Sequence, residues 1–376
     1  MIINKLQLVN FRNYNHVAVV FDKMVTVFYG KNGQGKTNLL ESIYYSSFGL
    51  SHRTSREDEM VKFSSEGMAV LLDFTKEDGE HSIRMKRFFD KGKSYKEIKI
   101  DGNKTTAKNH YSFLNTVMFS PEDLQIIKGD PGLRRRFMDM EISQTDPLYY
   151  ELLVRYRRLL KQRNSLLKTI RDQNQSQEQL SPWDEEITSV GAQILIKRLE
   201  NLKKLKEISI PAFHNLSDKN DSLEIKYEMK GNNGESYYPE EETYNNIKDF
   251  YMASLKERRF KDIMQGNTGI GVHRDDFKTY INNADGKAFA SQGQQRCCAL
   301  ALKFSQIEYV KEMSGEYPVL LLDDVMSELD QYRRNQLVSF INDKVQTIIT
   351  VNDKTLIPDL GSNQYFKVEK GSIKEN

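Results

Sequence analysis

The residues with the clearest chemistry lie near the start of the chain, where Gly30-Lys31-Asn32-Gly33-Gln34-Gly35-Lys36-Thr37 has the spacing G-x-x-x-x-G-K-[ST]. Its glycines permit positive φ and let successive main-chain N–H groups face one anion at the start of a helix. Lys36 would reach the β- and γ-phosphates of a nucleoside triphosphate, and Thr37 would ligate Mg²⁺. Far downstream, Val319 to Leu322 form an apolar run ending in Asp323-Asp324, the strand end at which open α/β sheets place ligands. Asp323 is the candidate to hold Mg²⁺, through water, and Asp324 to polarise an attacking water. A third segment, Ser291-Gln292-Gly293-Gln294-Gln295-Arg296, offers a hydroxyl and glycine N–H groups at a helix N-terminus. That suits either a phosphate or an ordinary polar cap.

These segments need elements to hold them. Three strands are expected at 5–11, 17–21 and 25–29, the last leading into the glycine loop, whose following helix has an apolar face of Leu39, Leu40, Ile43 and Tyr44. Further strand patterns run from about 68 to 119, ending with Asn115 to Phe119, and the stretch reads as one antiparallel sheet. After Pro121 the texture changes. Leu152, Tyr156, Leu159, Leu166 and Ile170 keep a three-four spacing interrupted by Arg163, and a second helix over about 184–208 repeats it with Leu195, Leu199 and Leu202. Ser181-Pro182 reads as its start. The two predict an antiparallel helical hairpin. Residues 215–248, with Asn232 to Gly234, read as strand and loop, and 269–281 as a strand followed by a hairpin turn at Asp285-Gly286. A helix over 294–313, a strand over 317–323, a helix near 327–342, a strand over 345–351 and a last strand near 364–369 complete the pattern.

Composition narrows the class. The 376 residues carry 55 Lys plus Arg against 53 Asp plus Glu, a formal net charge of +2, so any polyanion surface must be local. The 38% hydrophobic content includes 19 Tyr, which is lean and fits an elongated, thinly packed portion such as the hairpin. No apolar run is long enough for a membrane helix and the start is no secretion signal, so a soluble, cytoplasmic protein is expected. Cys297 and Cys298 are adjacent and give neither a disulfide framework nor metal-ligand spacing.

The order phosphate loop, Ser291–Arg296 segment, acidic strand resembles that of ABC-type ATPases. In those proteins the signature segment of one protomer meets the ATP of another. Ser327-Glu328-Leu329-Asp330 resembles their D-loop, and the separation of about 254 residues between Thr37 and Ser291, with a hairpin between, resembles the SMC and Rad50 branch. The chain is similar to the bacterial RecF family over nearly its whole length, through NFRNY at 10–14, the phosphate loop with Asn38-Leu39-Leu40-Glu41, SHRTSR at 51–56, FSPEDL at 119–124, GLRRRFMD at 132–139, LKQRNSLLK at 160–168, GVHRDD at 271–276, SQGQQR at 291–296 and LLLDDVMSELD at 320–330.

The resemblance implies an α/β fold, an ABC-type ATPase head. Lobe I, a mixed sheet plus an antiparallel sheet, would take 1–120 and 270–376. A mostly helical lobe II over 121–269 would carry the hairpin at about 150–208, with 291–296 assignable to either lobe. It implies ATP and Mg²⁺ bound through Gly30 to Asn38, with Arg12, Ser291, Gly293 and Gln294 also at the nucleotide, and an ATP-dependent homodimer. It further implies a slow, weakly DNA-stimulated ATPase acting with RecR and RecO at single-strand gaps to load RecA in recombinational repair and the SOS response. Asp324, where most ABC ATPases have Glu, offers a chemical reason for slow turnover. Two positions depart from the wider ABC pattern. All six histidines, at 16, 52, 81, 110, 214 and 273, precede the acidic strand, leaving Thr350 or Asn352 in place of a switch histidine. For the lobe-linking glutamine, Glu122, Asp123 and Gln125 stand open.

DNA contacts are expected from Arg134-Arg135-Arg136 and from the dense basic run Arg155, Arg157, Arg158, Lys161 and Arg163, which suits sequence-independent phosphate neutralisation. No role is evident for His273 to Asp276. Two other functional classes remain open at this point: a transporter ATPase subunit, and another SMC-like structural or nuclease-associated protein.

Overall fold

The computed structural model describes residues 1–91, 93–217, 221–232, 234–341, 344–357 and 363–375. Position 233 of the turn at 232–234 and position 342 at the end of the expected helix lie outside the described residues. The chain forms two compact units, Met1–Asp123 with Gln306–Asn376, and Leu124–Ser305.

The first unit holds two sheets. One is antiparallel, in the order β2 (Tyr14–Val20), β1 (Ile2–Phe11), β4 (Gly67–Lys76), β5 (Gly79–Asp90), β6 (Lys93–Ile100), β7 (Asn103–Lys104). Leu6 and Leu8 of β1, Val70 and Leu72 of β4, and Ile83 and Met85 of β5 point to one buried face, while alternate residues meet water. The other sheet runs β16 (Ser372–Glu375), β15 (Asn363–Glu369), β3 (Val25–Tyr29), β14 (Thr347–Val351), β13 (Val319–Asp323), β8 (Thr116–Phe119). It is parallel throughout except for the β15–β16 hairpin. Helix α1 (Lys36–Phe48) contacts both sheets, which is why its Leu39 to Phe48 stretch is buried on every face. The 115–119 segment therefore does not extend the antiparallel sheet as expected: β8 lies beside β13, with Val117 opposite Leu320. All four of its residues are buried, the signature of a strand covered on both faces and not of an alternating one. Short helices α2 (Ala107–Tyr111), α9 (Val325–Glu328) and α10 (Gln331–Ile341) complete this unit.

The second unit is built from α3 (Gln125–Lys128), α4 (Pro131–Thr145), α5 (Pro147–Gln173), α6 (Ser181–Leu216) and α7 (Tyr244–Gln265), with a small sheet in the order β10 (Ser236–Tyr237), β9 (Leu223–Lys230), β11 (Asp276–Ile281), β12 (Ala284–Asp285). Most of α8 (Gln292–Ser314) also belongs here. The 270–305 segment, expected in lobe I, is thus part of the second unit, because β11 pairs along its length with β9. The strand expected over 269–281 starts only at Asp276. Its hairpin turn falls at Asn282-Asn283, whose φ values of 52° and 64° asparagine tolerates, and not at Asp285-Gly286.

Helix α6 passes its expected end at 208 and continues through Pro211, since burial of Phe213 and Leu216 offsets the lost hydrogen bond. Helix α7 begins inside the stretch read as strand and loop. The seam of α5 is Tyr149, Leu153, Tyr156, Leu159, Arg163, Leu167 and Ile170. Leu152 and Leu166 yield to their neighbours, and Arg163 continues the seam that it was expected to interrupt.

Candidate nucleotide-binding site

Strand β3 delivers the chain to Gly30, and α1 carries it away from Gly35, with φ of 151° at Gly30, 77° at Gly33 and 114° at Gly35. The loop is held from outside. A Cβ on Gly30 would lie 2.5 Å from the Val368 carbonyl oxygen, and one on Gly35 would lie 2.6 Å from the Asn13 amide and 2.9 Å from the Tyr14 hydroxyl. Asn13 Nδ2 donates to Gln34 O at 2.9 Å, Tyr14 Oη donates to Gly35 O at 3.0 Å, and the Lys370 N–H donates to Gln34 Oε1 at 2.8 Å. The β1–β2 and β15–β16 turns therefore brace the loop that the sequence pattern marks.

Lys36 Nζ donates to Gly30 O at 2.6 Å, Lys31 O at 3.0 Å and Asn352 Oδ1 at 3.0 Å. Burial lowers its pKa, opposed by the fields of Asp324 and Asp323. Thr37 Oγ1 donates to Asp323 Oδ1 at 2.9 Å, and Thr350 Oγ1 donates to the same oxygen at 2.7 Å. Burial raises the Asp323 pKa; the two hydroxyls oppose the rise, and the charges of Glu122 and Asp324 add to it. Asp324 takes a left-handed conformation, φ 54°, where a non-glycine residue is strained. Its N–H is fixed on Thr350, its Oδ1 accepts from Ser327 Oγ at 2.9 Å, and its Oδ2 accepts from Asn352 Nδ2 at 3.4 Å. One open pocket is lined by Asn32, Gly33, Gly35 to Asn38, Arg53, Asp323, Asp324 and Thr350. A glycine cradle with an ammonium at its floor fits a polyphosphate. A threonine hydroxyl beside a buried carboxylate fits a hard divalent cation.

The loop residues, Asp323 and Asp324 thus come together. Lys31 contributes its carbonyl oxygen to Lys36, and Asn38 is engaged by Asn13 and Arg53. Arg12 faces elsewhere: its Nε and Nη2 hold the buried Glu41 carboxylate at 2.8 and 2.5 Å, and its Nη1 donates to Glu59 O. Arg53 lines the pocket instead. It sits in the SHRTSR segment, whose composition gave no chemical signal. Thr350 and Asn352, the two candidates for the switch position, both join the network. Glu122 and Asp123 lie in a 3₁₀ turn after β8, and Gln125 begins α3 of the second unit.

A family model described as RecF/RecN/SMC N terminal domain matches residues 2–373. Proteins named DNA replication and repair protein RecF are 36% identical in Natranaerobius thermophilus, over 99% of this chain and 97% of that protein, and 39% identical in Clostridium perfringens, over 99% of each. The chain belongs to the RecF family. A solved structure described as the recombination mediator protein RecF-ATP in the RecFOR pathway superposes with a TM-score of 0.91 at 36% identity, covering 100% of this chain and 97% of that one. An Smc head domain from Pyrococcus furiosus, at 17% identity and a TM-score of 0.57, shares the ABC-type head fold. RecF membership carries ATP binding and hydrolysis and a place in DNA replication and repair, and it takes the place of the transporter reading. No helix among the described residues is long and apolar enough to cross a membrane.

The remaining residues expected from the RecF resemblance lie in the second unit. Ser291 is exposed, and Ser291 and Gln294 form a reciprocal cap: the Ser291 N–H donates to Gln294 Oε1 at 2.9 Å and the Gln294 N–H to Ser291 Oγ at 3.2 Å. Gly293 follows within the first turn of α8. Among the basic residues, two expectations fail. Arg163 is 0% exposed and pairs with Asp184 at 2.8 Å and Asp262 at 3.1 Å, and Arg134 is buried against Asp276 at 2.7 Å, so neither side chain is free for a DNA phosphate. Arg135 is half-buried and donates to Asp275 O. Arg136, Arg155, Arg157, Arg158 and Lys161 are exposed, Arg155 beside Glu186.

His273 to Asp276 are a structural knot. His273 contacts the Tyr156 hydroxyl and Thr268 O, and Asp275 accepts from Tyr227 and Tyr251. Their density of polar groups was visible in sequence; their partners, scattered over more than a hundred residues, were not.

Proposed function

We propose that this chain is an ATP-gated DNA clamp of recombinational repair. The observation that carries the reading is the convergence of Lys36, Thr37, Asp323 and Asp324 on one braced glycine loop. ATP binds with its phosphates on the loop N–H groups and Lys36, and Thr37 and Asp323 hold Mg²⁺, which neutralises phosphate charge. Ser291, Gly293 and Gln294 of a second copy close over the γ-phosphate, for which the exposed cap at the start of α8 supplies N–H and hydroxyl groups. Head pairing creates the DNA surface. In hydrolysis, Asp324 Oδ2, which accepts only a long hydrogen bond from Asn352 among the described residues, takes the proton of the attacking water as the β–γ bond breaks to ADP and phosphate. Because its oxygens are one methylene closer to the backbone than those of a glutamate and Ser327 occupies Oδ1, this base works slowly and the pair is long-lived.

The exposed cations Arg136, Arg157, Arg158 and Lys161 serve the DNA backbone without reading bases. In the cytoplasm the clamp settles at single-strand gaps beside duplex, acts with RecR and RecO to load RecA and so feeds the SOS response, and DNA modestly raises its ATPase rate.

The test is light scattering of the full chain with ATP, ADP and duplex DNA. Dimers are expected with ATP only. Lys36→Met abolishes pairing, and Ser291→Arg abolishes pairing while monomers still bind ATP. Pairing by Lys36→Met without nucleotide, or loss of monomer ATP binding in Ser291→Arg, overturns the reading.

A further inference from the structure

The antiparallel sheet of the first unit has one face on the apolar core and one in water. Register and alternation put Arg84, Lys86, Phe88 and Asp90 of β5 and Lys93 and Tyr95 of β6 on the wet face, with Asp90 directly opposite Lys93. Phe88 and Tyr95 stand directly opposite each other and stack, with ring centroids 5.5 Å apart and planes 18° apart, yet they stay 43% and 42% exposed. The neighbour of Phe88 on its other flank is Gly67, where a Cβ would come within 2.5 Å of the Arg87 carbonyl oxygen, so no side chain covers the rings from β4. Arg84 and Lys86 are exposed and have no ion-pair partner among the described residues, whereas Glu97 on the same face is already engaged by Lys99 and Lys104, at 3.5 and 3.2 Å.

Flat apolar rings among unmatched cations suit a polyanion with flat apolar faces. A duplex keeps its bases stacked inside and offers this surface only phosphates, which would use the cations and leave the rings idle. Unpaired bases use both, stacking on the aromatics while the backbone lies on the lysine and arginine heads. We propose that the wet face of this sheet binds single-stranded nucleic acid, with Phe88 and Tyr95 as the stacking platform and Arg84 and Lys86 as the backbone contacts. The site deepens the DNA reading above, to which it adds the unpaired strand, and depends neither on ATP-driven pairing nor on the helical cations.

The experiment is fluorescence anisotropy of the full chain, without nucleotide, on a labelled thymidine oligonucleotide of about 12 residues, matched to the site sizes of stacking proteins. A blunt duplex with ATP is measured in parallel. Phe88→Ala with Tyr95→Ala is expected to weaken oligonucleotide binding about tenfold or more and to leave duplex binding unchanged. Phe88→Trp retains binding and gains an emission that the oligonucleotide quenches. Arg84→Glu with Lys86→Glu weakens single-strand binding and flattens its salt dependence, which guards against a folding artefact of the ring variants. Equal oligonucleotide affinity in the parent and the double-alanine chain overturns the proposal, as does an equal loss on oligonucleotide and duplex. If the parent fails to bind duplex with ATP while the ring variants still lose the oligonucleotide, the clamp reading falls and this one stands.

Discussion

Charged side chains gather in the phosphate pocket of the first unit and in the helical seam of the second, and they are matched there in opposite ways. In the pocket, Lys36 rests on carbonyl and amide oxygens and Asp324 Oδ2 on one long hydrogen bond from Asn352, with no ion pair between them among the described residues, so the charges are open to something from outside. In the seam, Arg163 lies between Asp184 and Asp262, and these meet Arg259 at 2.7 Å and Arg258 at 3.0 Å in turn. Those charges answer one another. The same residue types thus mark a ligand site where charges face an open pocket and a structural tie where each acid is held by two arginines. Sequence density of cations does not tell the two apart.

The largest effect that sharpens this contrast comes from the seam. Arg163→Ala takes from the buried Asp184 and Asp262 one of the two arginines that each of them meets and should cost about 2–3 kcal/mol in denaturant unfolding, while the folded chain still binds ATP in the monomer. An unchanged midpoint would make the seam arginine dispensable for the fold.

Next comes a pH effect. Glu141 on α4 is fully buried, and burial pushes its pKa from 4.5 to about 8, offset in part by the Asn201 amide and the Lys303 ammonium. A raised carboxyl pKa means that the folded state holds the proton more tightly. Its contribution is full below pH 4.5 and is lost as pH rises through about 8. The buried His110 and the half-buried His52 and His273 act in the other direction: desolvation depresses each from 6.5 to about 4, so their contribution is present above 6.5 and is lost on acidification towards 4. Melting temperature against pH should pass through a maximum, and Glu141→Gln should remove the alkaline decline and leave the acid limb. A decline that survives the substitution would assign it to another group.

The smallest effect belongs to the exposed cations. Arg157→Ala with Arg158→Ala should leave stability within about 0.5 kcal/mol and reduce the slope of log affinity against log salt for duplex DNA by about 2. A slope that does not move would place the DNA elsewhere on the protein.

The phosphate loop and the acidic strand end were legible because each is a local backbone device: glycines for positive φ, and a continuous apolar run for a strand buried on both faces. The hairpin is legible from its spacing, but spacing alone puts Leu152 and Leu166 on the seam in place of Leu153 and Leu167, because Arg163 reads as an interruption. A buried arginine is recognisable only by its acids, and Asp184 and Asp262 lie 21 and 99 residues away. Helix α7 escaped notice because its buried residues, Ile247, Tyr251, Ser254, Leu255 and Asp262, mix polar with apolar and blur the helical period.

What the amino-acid order determined alone was therefore short-range: which segments turn, which extend, and where an anion meets main-chain N–H groups. Tertiary structure alone decided that β8 joins the parallel sheet, that Arg53 and not Arg12 lines the pocket, and which arginines are spent on aspartates. The reason is physical. Conformational preference acts over a few bonds, whereas the matching of charge and the burial of a face depend on residues that only folding brings together.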